Sequence, residues 1–176
     1  MSVNMNVIKV SPVGGRSGTV WDEKGKSEIA KIFVSDNGQS ICSLQFVYVE
    51  TDHFVSSNLH GTAELSKNFT TVSLDYPSEF LTLISGTFSA GYLRTITFST
   101  NKGSYGPYGK NPSQYMDQFN FQMGNDRMFA GFRGTKYGNS IESIGIYVKT
   151  ITSSMIAPRC SRITNTPQVM IKREED

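Results

Sequence analysis

Few residues in this chain have the type and spacing that chemistry demands. Gly103, Gly106 and Gly109 follow a strand-like segment, and glycine-spaced turns can cradle a phosphate where a helix N-terminus points at it. Pro107 and Pro112 forbid that helix, so these glycines are expected to shape strand corners instead. His53 and His60 lie seven residues apart, and the chain contains no Cys-x-x-Cys, His-Glu-x-x-His or Gly-x-Ser-x-Gly. Neither a zinc site nor an activated nucleophile is expected from them, and His60-Gly61 reads as a turn. The two carboxylates of a glycosidase can come from distant strands, and nothing in the sequence nominates a pair. No catalytic residue, metal or cofactor is therefore assigned.

Composition narrows the field further. A chain of 176 residues buries one good core and is too short for two ordinary domains. Its 11 Phe, 8 Tyr and 16 Gly suit strands separated by tight turns. The 17 basic and 15 acidic residues are interspersed, for a formal charge of +2, so nucleic acid is not expected as a partner. No apolar run approaches a membrane span, and the opening MSVNMNVIKV lacks the layout of a secretory leader. These features predict a cytoplasmic protein, with the nucleus as a second compartment and no membrane partner. Cys42 and Cys160 are expected to stay unpaired in a reducing compartment, and the Asn68-Phe69-Thr70 acceptor to go unused.

The elements that must position any site are strands. In Phe119-Asn120-Phe121-Gln122-Met123 apolar and polar residues alternate, which turns one face to a core and the other to water. Residues 72–76 and 144–148 alternate likewise, and further strands are predicted over 29–34, 41–49, 80–88, 92–99 and 127–132. Turn residues separate them, as at Ser35-Asp36-Asn37-Gly38 and Tyr105-Gly106-Pro107-Tyr108-Gly109. Closely spaced strands without helices predict an all-β domain of antiparallel meanders or Greek keys, in a sandwich, barrel or prism. From residue 150 the chain carries two prolines, many hydroxyl residues and a terminal charge cluster, which predicts a disordered segment over 150–176. Lys172-Arg173 beside three acidic residues reads as solvation.

Several segments together resemble jacalin-related lectins of the plant mannose-binding type. Residues 11–22, SPVGGRSGTVWD, are similar to the family's opening, a Gly-rich turn before an aromatic and an Asp. Phe98-Ser99-Thr100-Asn101-Lys102 with Tyr105-Gly106-Pro107-Tyr108-Gly109 is the most specific signature, and Phe129-Ala130-Gly131-Phe132-Arg133-Gly134 and Ile144-Gly145-Ile146-Tyr147-Val148 complete it in the family's order. The resemblance covers residues 6–149. It implies a β-prism of type I, three four-stranded antiparallel sheets with pseudo-threefold symmetry, a choice alternation alone does not make.

The resemblance also implies a sugar site at one end of the prism and glycans of the mannose or glucose type as partners. Carried over by position, Gly18 offers its backbone N–H to a sugar hydroxyl. Gly138-Asn139-Ser140-Ile141-Glu142 takes the place of the family's Gly-x-x-x-Asp loop, with N–H donors at Asn139 and Ser140 and a carboxylate accepting from neighbouring hydroxyls. Tyr92, after Ser89-Ala90-Gly91, is the candidate stacking residue. Two departures stand out: Glu142 replaces the family Asp, and Thr135-Lys136-Tyr137 lengthens the loop by one residue. They motivate an alternative, an interaction module in stress or defence that has lost strong sugar binding and works through protein partners. Family behaviour further implies a homodimer through outer strands.

Overall fold

The computed structural model describes residues 6–109 and 115–151. The described residues form strands and connections without a helix. In chain order the strands are β1 (Val7–Lys9), β2 (Val13–Gly14), β3 (Thr19–Asp22), β4 (Ile29–Asp36), β5 (Ile41–Glu50), β6 (His53–Ser56), β7 (His60–Gly61), β8 (Asn68–Ser73), β9 (Leu81–Ser89), β10 (Tyr92–Thr100), β11 (Ser104–Gly109), β12 (Asp117–Gln122), β13 (Phe129–Tyr137) and β14 (Ser140–Lys149). They make three antiparallel sheets, the expected prism. The first sheet joins both ends of the domain in the order β1-β14-β13-β3, with β2 also on β14. The second runs β6-β5-β4-β8, with β7 also on β5, and the third runs β11-β10-β9-β12.

Each sheet is built on a central hairpin, and the three hairpins repeat one design. Cross-strand hydroxyl pairs sit inside them at Ser35 and Ser43 (2.5 Å), Thr87 and Thr95 (2.9 Å), and Thr135 and Ser143 (2.7 Å). All three are buried and span eight residues, and each bond satisfies both hydroxyls away from water. Next to each pair the register slips, between Ser35 and Asp36, Leu93 and Thr95, and Thr135 and Lys136. The slip leaves Cys42, Arg94 and Glu142 as the extra residues of three equivalent β-bulges.

The bulges dictate glycine on the neighbouring strand. Gly14, Gly61 and Gly109 pair directly across from Ser143, Ser43 and Thr95, the second hydroxyl residue of each pair. A Cβ there would stand 2.3, 2.1 and 2.2 Å from the carbonyl oxygens of Glu142, Cys42 and Arg94, and all three glycines have φ between +91° and +114°. Those angles lie outside what a side-chain-bearing residue adopts without strain.

Between the sheets lies one core, and its layers follow the same repeat. Ile41, Leu93 and Ile141 form one fully buried set, and Leu44, Ile96 and Ile144 the next. Deeper still, Phe132 of the first sheet stacks on Phe46 of the second at 4.4 Å and meets Phe98 of the third edge-on at 6.3 Å.

Three sequence expectations are corrected by the pairing. Residues 105–109, predicted as a turn, lie in β11. That strand is an edge of its sheet, where Pro107 removes no interior ladder bond. The strand predicted over 72–76 begins earlier and ends at Ser73, beyond which the Leu74 N–H still bonds the Ala30 carbonyl of β4 at 2.9 Å. His60, predicted in a turn, belongs to β7 and is buried. It stacks on Trp21 at 4.3 Å while Nε2 lies 2.6 Å from the Glu23 carboxylate, so it joins the second sheet to the first. Cys160 and the segment predicted to be disordered, from residue 152 onward, fall outside the described residues.

The most specific sequence signature is explained at the end of the prism remote from the hairpin turns. Buried Glu79 accepts hydrogen bonds from the Thr100 hydroxyl (2.6 Å), the Tyr105 hydroxyl (2.9 Å) and the Asp75 N–H (2.8 Å). Burial alone would raise its pKa, but these donors, with Lys102 nearby, hold it below the ordinary carboxylate value. Thr100-Asn101-Lys102-Gly103 and Tyr105 are thus a clamp on the β10–β11 turn.

Candidate functional site

The three central hairpins turn at the same end of the prism, and polar contacts lock their tips together. Ser40 and Ser140 share a buried hydroxyl bond of 2.8 Å between the second and first sheets. Arg94 donates from Nε to the Ser89 carbonyl (3.0 Å) and from a terminal nitrogen to the Gln39 carbonyl (3.2 Å), tying the third sheet to the second. Tyr92 and Tyr137 approach with ring centroids 6.5 Å apart, and the Arg94 guanidinium lies 5.7 Å over the Tyr92 ring. This end therefore presents a fixed platform.

On it, Glu142 is the organising side chain. Its position at the β-bulge re-aims the carboxylate toward the Gly-rich N-terminal turn. One carboxylate oxygen accepts the Ser17 N–H at 2.9 Å and the other the Gly18 N–H at 2.8 Å. Only 4% of the residue is exposed. Burial pushes the pKa upward, but the Ser17 N–H, the neighbouring Thr135 hydroxyl and the Gly18 N–H outweigh it, so the carboxyl titrates below its ordinary value. At neutral pH the site carries a fixed negative charge.

The turn wraps this closely because it has no side chains in the way. A Cβ on Gly15 would stand 2.5 Å from the Glu142 carboxylate, and one on Gly18 would stand 1.9 Å from the Lys136 carbonyl oxygen. Above the carboxylate, Tyr137 and Ser140 close the β13–β14 hairpin across Gly138 and Asn139. Gly138 adopts φ +57°, with open space around it, as a two-residue hairpin turn requires.

All six residues assigned from the sequence thus gather at one end of the molecule. Gly138 and Asn139 form the open tip, Tyr92 flanks it, and Gly18 and Glu142 lie beneath, bonded to each other. The Gly18 N–H is held by Glu142 in this structure, and the Ser140 hydroxyl by Ser40. The sequence reading missed Ser17, whose N–H shares the carboxylate, and Tyr137, 52% exposed at the rim. The extra loop residue around Thr135-Lys136-Tyr137 was the available signal for Tyr137, because it lengthens β13 past the end of β3.

The Jacalin-like lectin domain model matches residues 10–147. The chain belongs to this family. Jacalin-related lectin 2 of Arabidopsis thaliana is 34% identical over 159 residues, covering 81% of this chain and 86% of that protein. A mannose/glucose-specific lectin of Parkia platycephala is 32% identical over 155 residues, 83% of this chain and 33% of that longer protein. Among solved structures, a mannose-specific jacalin-related lectin from Morus nigra in complex with mannose superposes with a TM-score of 0.72 at 29% identity, covering 85% of this chain and 99% of that one. As a member of the jacalin-like family, this chain carries its most specific sequence signature in the Glu79 clamp, at the opposite end from the candidate site.

Proposed function

We propose that this jacalin-like domain is a lectin for mannose- or glucose-type glycans, working by binding alone and without chemical turnover. The site is the hairpin end, with Gly18, Tyr92, Gly138, Asn139, Ser140 and Glu142. The observation that carries the reading is the bulge that delivers a buried, ionised carboxylate to the backbone donors of Ser17 and Gly18 directly under an open turn. A hexose supplies what that arrangement uses: adjacent hydroxyls that donate to a carboxylate and accept from N–H groups. Tyr92 and Tyr137 offer aromatic surface at the rim for its C–H face.

Because Glu142 already holds the Gly18 N–H, a sugar must take over that donor, and affinity for a single unit is low. Four to six hydrogen bonds at a net ~1 kcal/mol each correspond to dissociation constants near or somewhat below millimolar. Dense glycans or paired domains would raise the effective strength. A glycan array followed by titration calorimetry with methyl α-mannoside tests the reading. Signal on mannose- or glucose-terminated glycans is expected. A blank array together with a reproducible protein partner would move the function to the alternative, a jacalin-fold interaction module.

A further inference from the structure

The strands that end the three sheets each present a row of unpaired N–H and C=O groups, which a foreign strand can use. All but one of these edges are protected. β1, β3 and β6 are three or four residues long, β11 carries Pro107 and a register slip, and β12 opens with the charge of Asp117. The remaining edge, β8, has six residues, Asn68-Phe69-Thr70-Thr71-Val72-Ser73, without a charge or a proline. It pairs with β4 over its whole length with no slip, and no other described strand pairs with it. Its Thr-Thr-Val run favours the extended chain, so the free side of β8 is regular and open.

Beside that edge lies an open groove of about 210 Å³, with Phe33, Leu59, Ala63 and Phe69 in its lining. Ile32 pairs with Val72 in the core, so the alternate partners, Lys31 with Ser73, Phe33 with Thr71 and Ser35 with Phe69, face away from it. Phe69 is 68% exposed, and Phe33 and Leu59 are exposed as well, an apolar surface that the described residues leave uncovered. A second copy of the chain does not fit it. Opposed residues in an antiparallel pair share a face, so the outward residues of one β8 meet only Phe69, Thr71 and Ser73 of another. Any twofold register that uses more than three residues of β8 then sets Thr71 or Ser73, not an apolar side chain, across from Phe69. Lys31, on the same face at the Ser73 end, makes no ion pair among the described residues. We infer that β8 and its groove form a docking site for an extended segment of another protein. That segment adds a strand to the second sheet, lays alternate apolar side chains beside Phe69 and Phe33, and carries an acidic residue where it passes Lys31. The docking site shares no residue with the candidate sugar site and goes beyond the lectin reading.

The probe is a capped synthetic peptide in which isoleucine and threonine alternate between acidic ends, titrated into the full chain and followed by amide shifts and calorimetry. A handful of net backbone bonds gives an expected dissociation constant of about 0.1–1 mM, with shifts at residues 68–73 and Phe33 and none at Gly18 or Glu142. Two alternately N-methylated forms of the peptide keep their N–H donors on opposite edges. One should bind like the parent and the other at least about tenfold more weakly, because only one edge faces β8. Phe69 and Lys31 are exposed, so Phe69→Ser and Lys31→Glu should keep the fold, and they should weaken binding by about tenfold and about threefold. Equal binding of both N-methylated forms, shifts that avoid β8, unchanged affinity in both variants, or no binding of the peptide overturns the docking site and leaves the lectin reading intact. A dimer in light scattering that Phe69→Ser disperses would show that a second copy holds the edge, and would also overturn it.

Discussion

Replacing Glu142 by aspartate is the most informative single change. The shorter side chain withdraws the carboxylate by about one C–C bond, ~1.5 Å. Starting from 2.9 and 2.8 Å, the Ser17 and Gly18 N–H groups then fall outside hydrogen-bond range. Each charge-assisted bond contributes roughly 1.5–3 kcal/mol where buried, but the turn lies at the surface and water can replace part of that. A net loss of about 1–2 kcal/mol is expected, which for a domain of this size lowers Tm by about 3–8 °C. In exchange the Gly18 N–H and the carboxylate become free for a sugar, and one or two extra hydrogen bonds should tighten methyl α-mannoside binding by about tenfold. Glu142→Ala frees the donors but removes the acceptor, so it should lose both stability and sugar binding. Scanning calorimetry and titration calorimetry on the three proteins read both quantities. If Asp, Ala and the natural residue give the same Tm and the same affinity, the carboxylate neither organises the turn nor meets the sugar, and the site assignment fails.

The fold makes further predictions. Gly61→Ala places a Cβ 2.1 Å from the Cys42 carbonyl oxygen at φ +91° and should destabilise by more than about 2 kcal/mol in urea unfolding, whereas Gly38→Ala, at φ +78° in open space, should cost only about 1 kcal/mol. Ser40→Ala orphans the Ser140 hydroxyl and should cost about 1–2 kcal/mol; adding Ser140→Ala should cost less than the sum of the single changes in a double-mutant cycle. Glu79 has its pKa lowered in the folded state, so its stabilising effect is present above the ordinary carboxylate range and is lost as pH falls through the folded value. The Tm difference between the natural chain and Glu79→Gln should therefore be full at neutral pH and shrink on acidification; a difference that grows toward acid would contradict the direction of the shift.

Much of the fold was legible because it is local. Alternation at 119–123 and 144–148, and turn chemistry at Ser35-Asp36-Asn37-Gly38, depend on neighbours in the chain. Those signals marked the strands of all three central hairpins to within a few residues. They failed where long-range pairing decided, as at His60, whose place against Trp21 depends on a strand 39 positions away in sequence.

What the sequence alone determined is the all-β class, the lectin-type resemblance and the residue types available at the candidate site, since composition, alternation and glycine spacing are properties of the chain itself. The eight-residue spacing of Ser35/Ser43, Thr87/Thr95 and Thr135/Ser143 is also written there, but it gains meaning only beside the bulges. Tertiary structure decided the rest. Strands from both ends of the domain had to meet in one sheet before the Glu142 carboxylate, aimed by the slip between β13 and β14, could reach the Ser17 and Gly18 N–H groups. The bulge itself is a property of the β13–β14 hairpin, but the donors its carboxylate holds arrive only when segments more than a hundred residues apart are brought into contact.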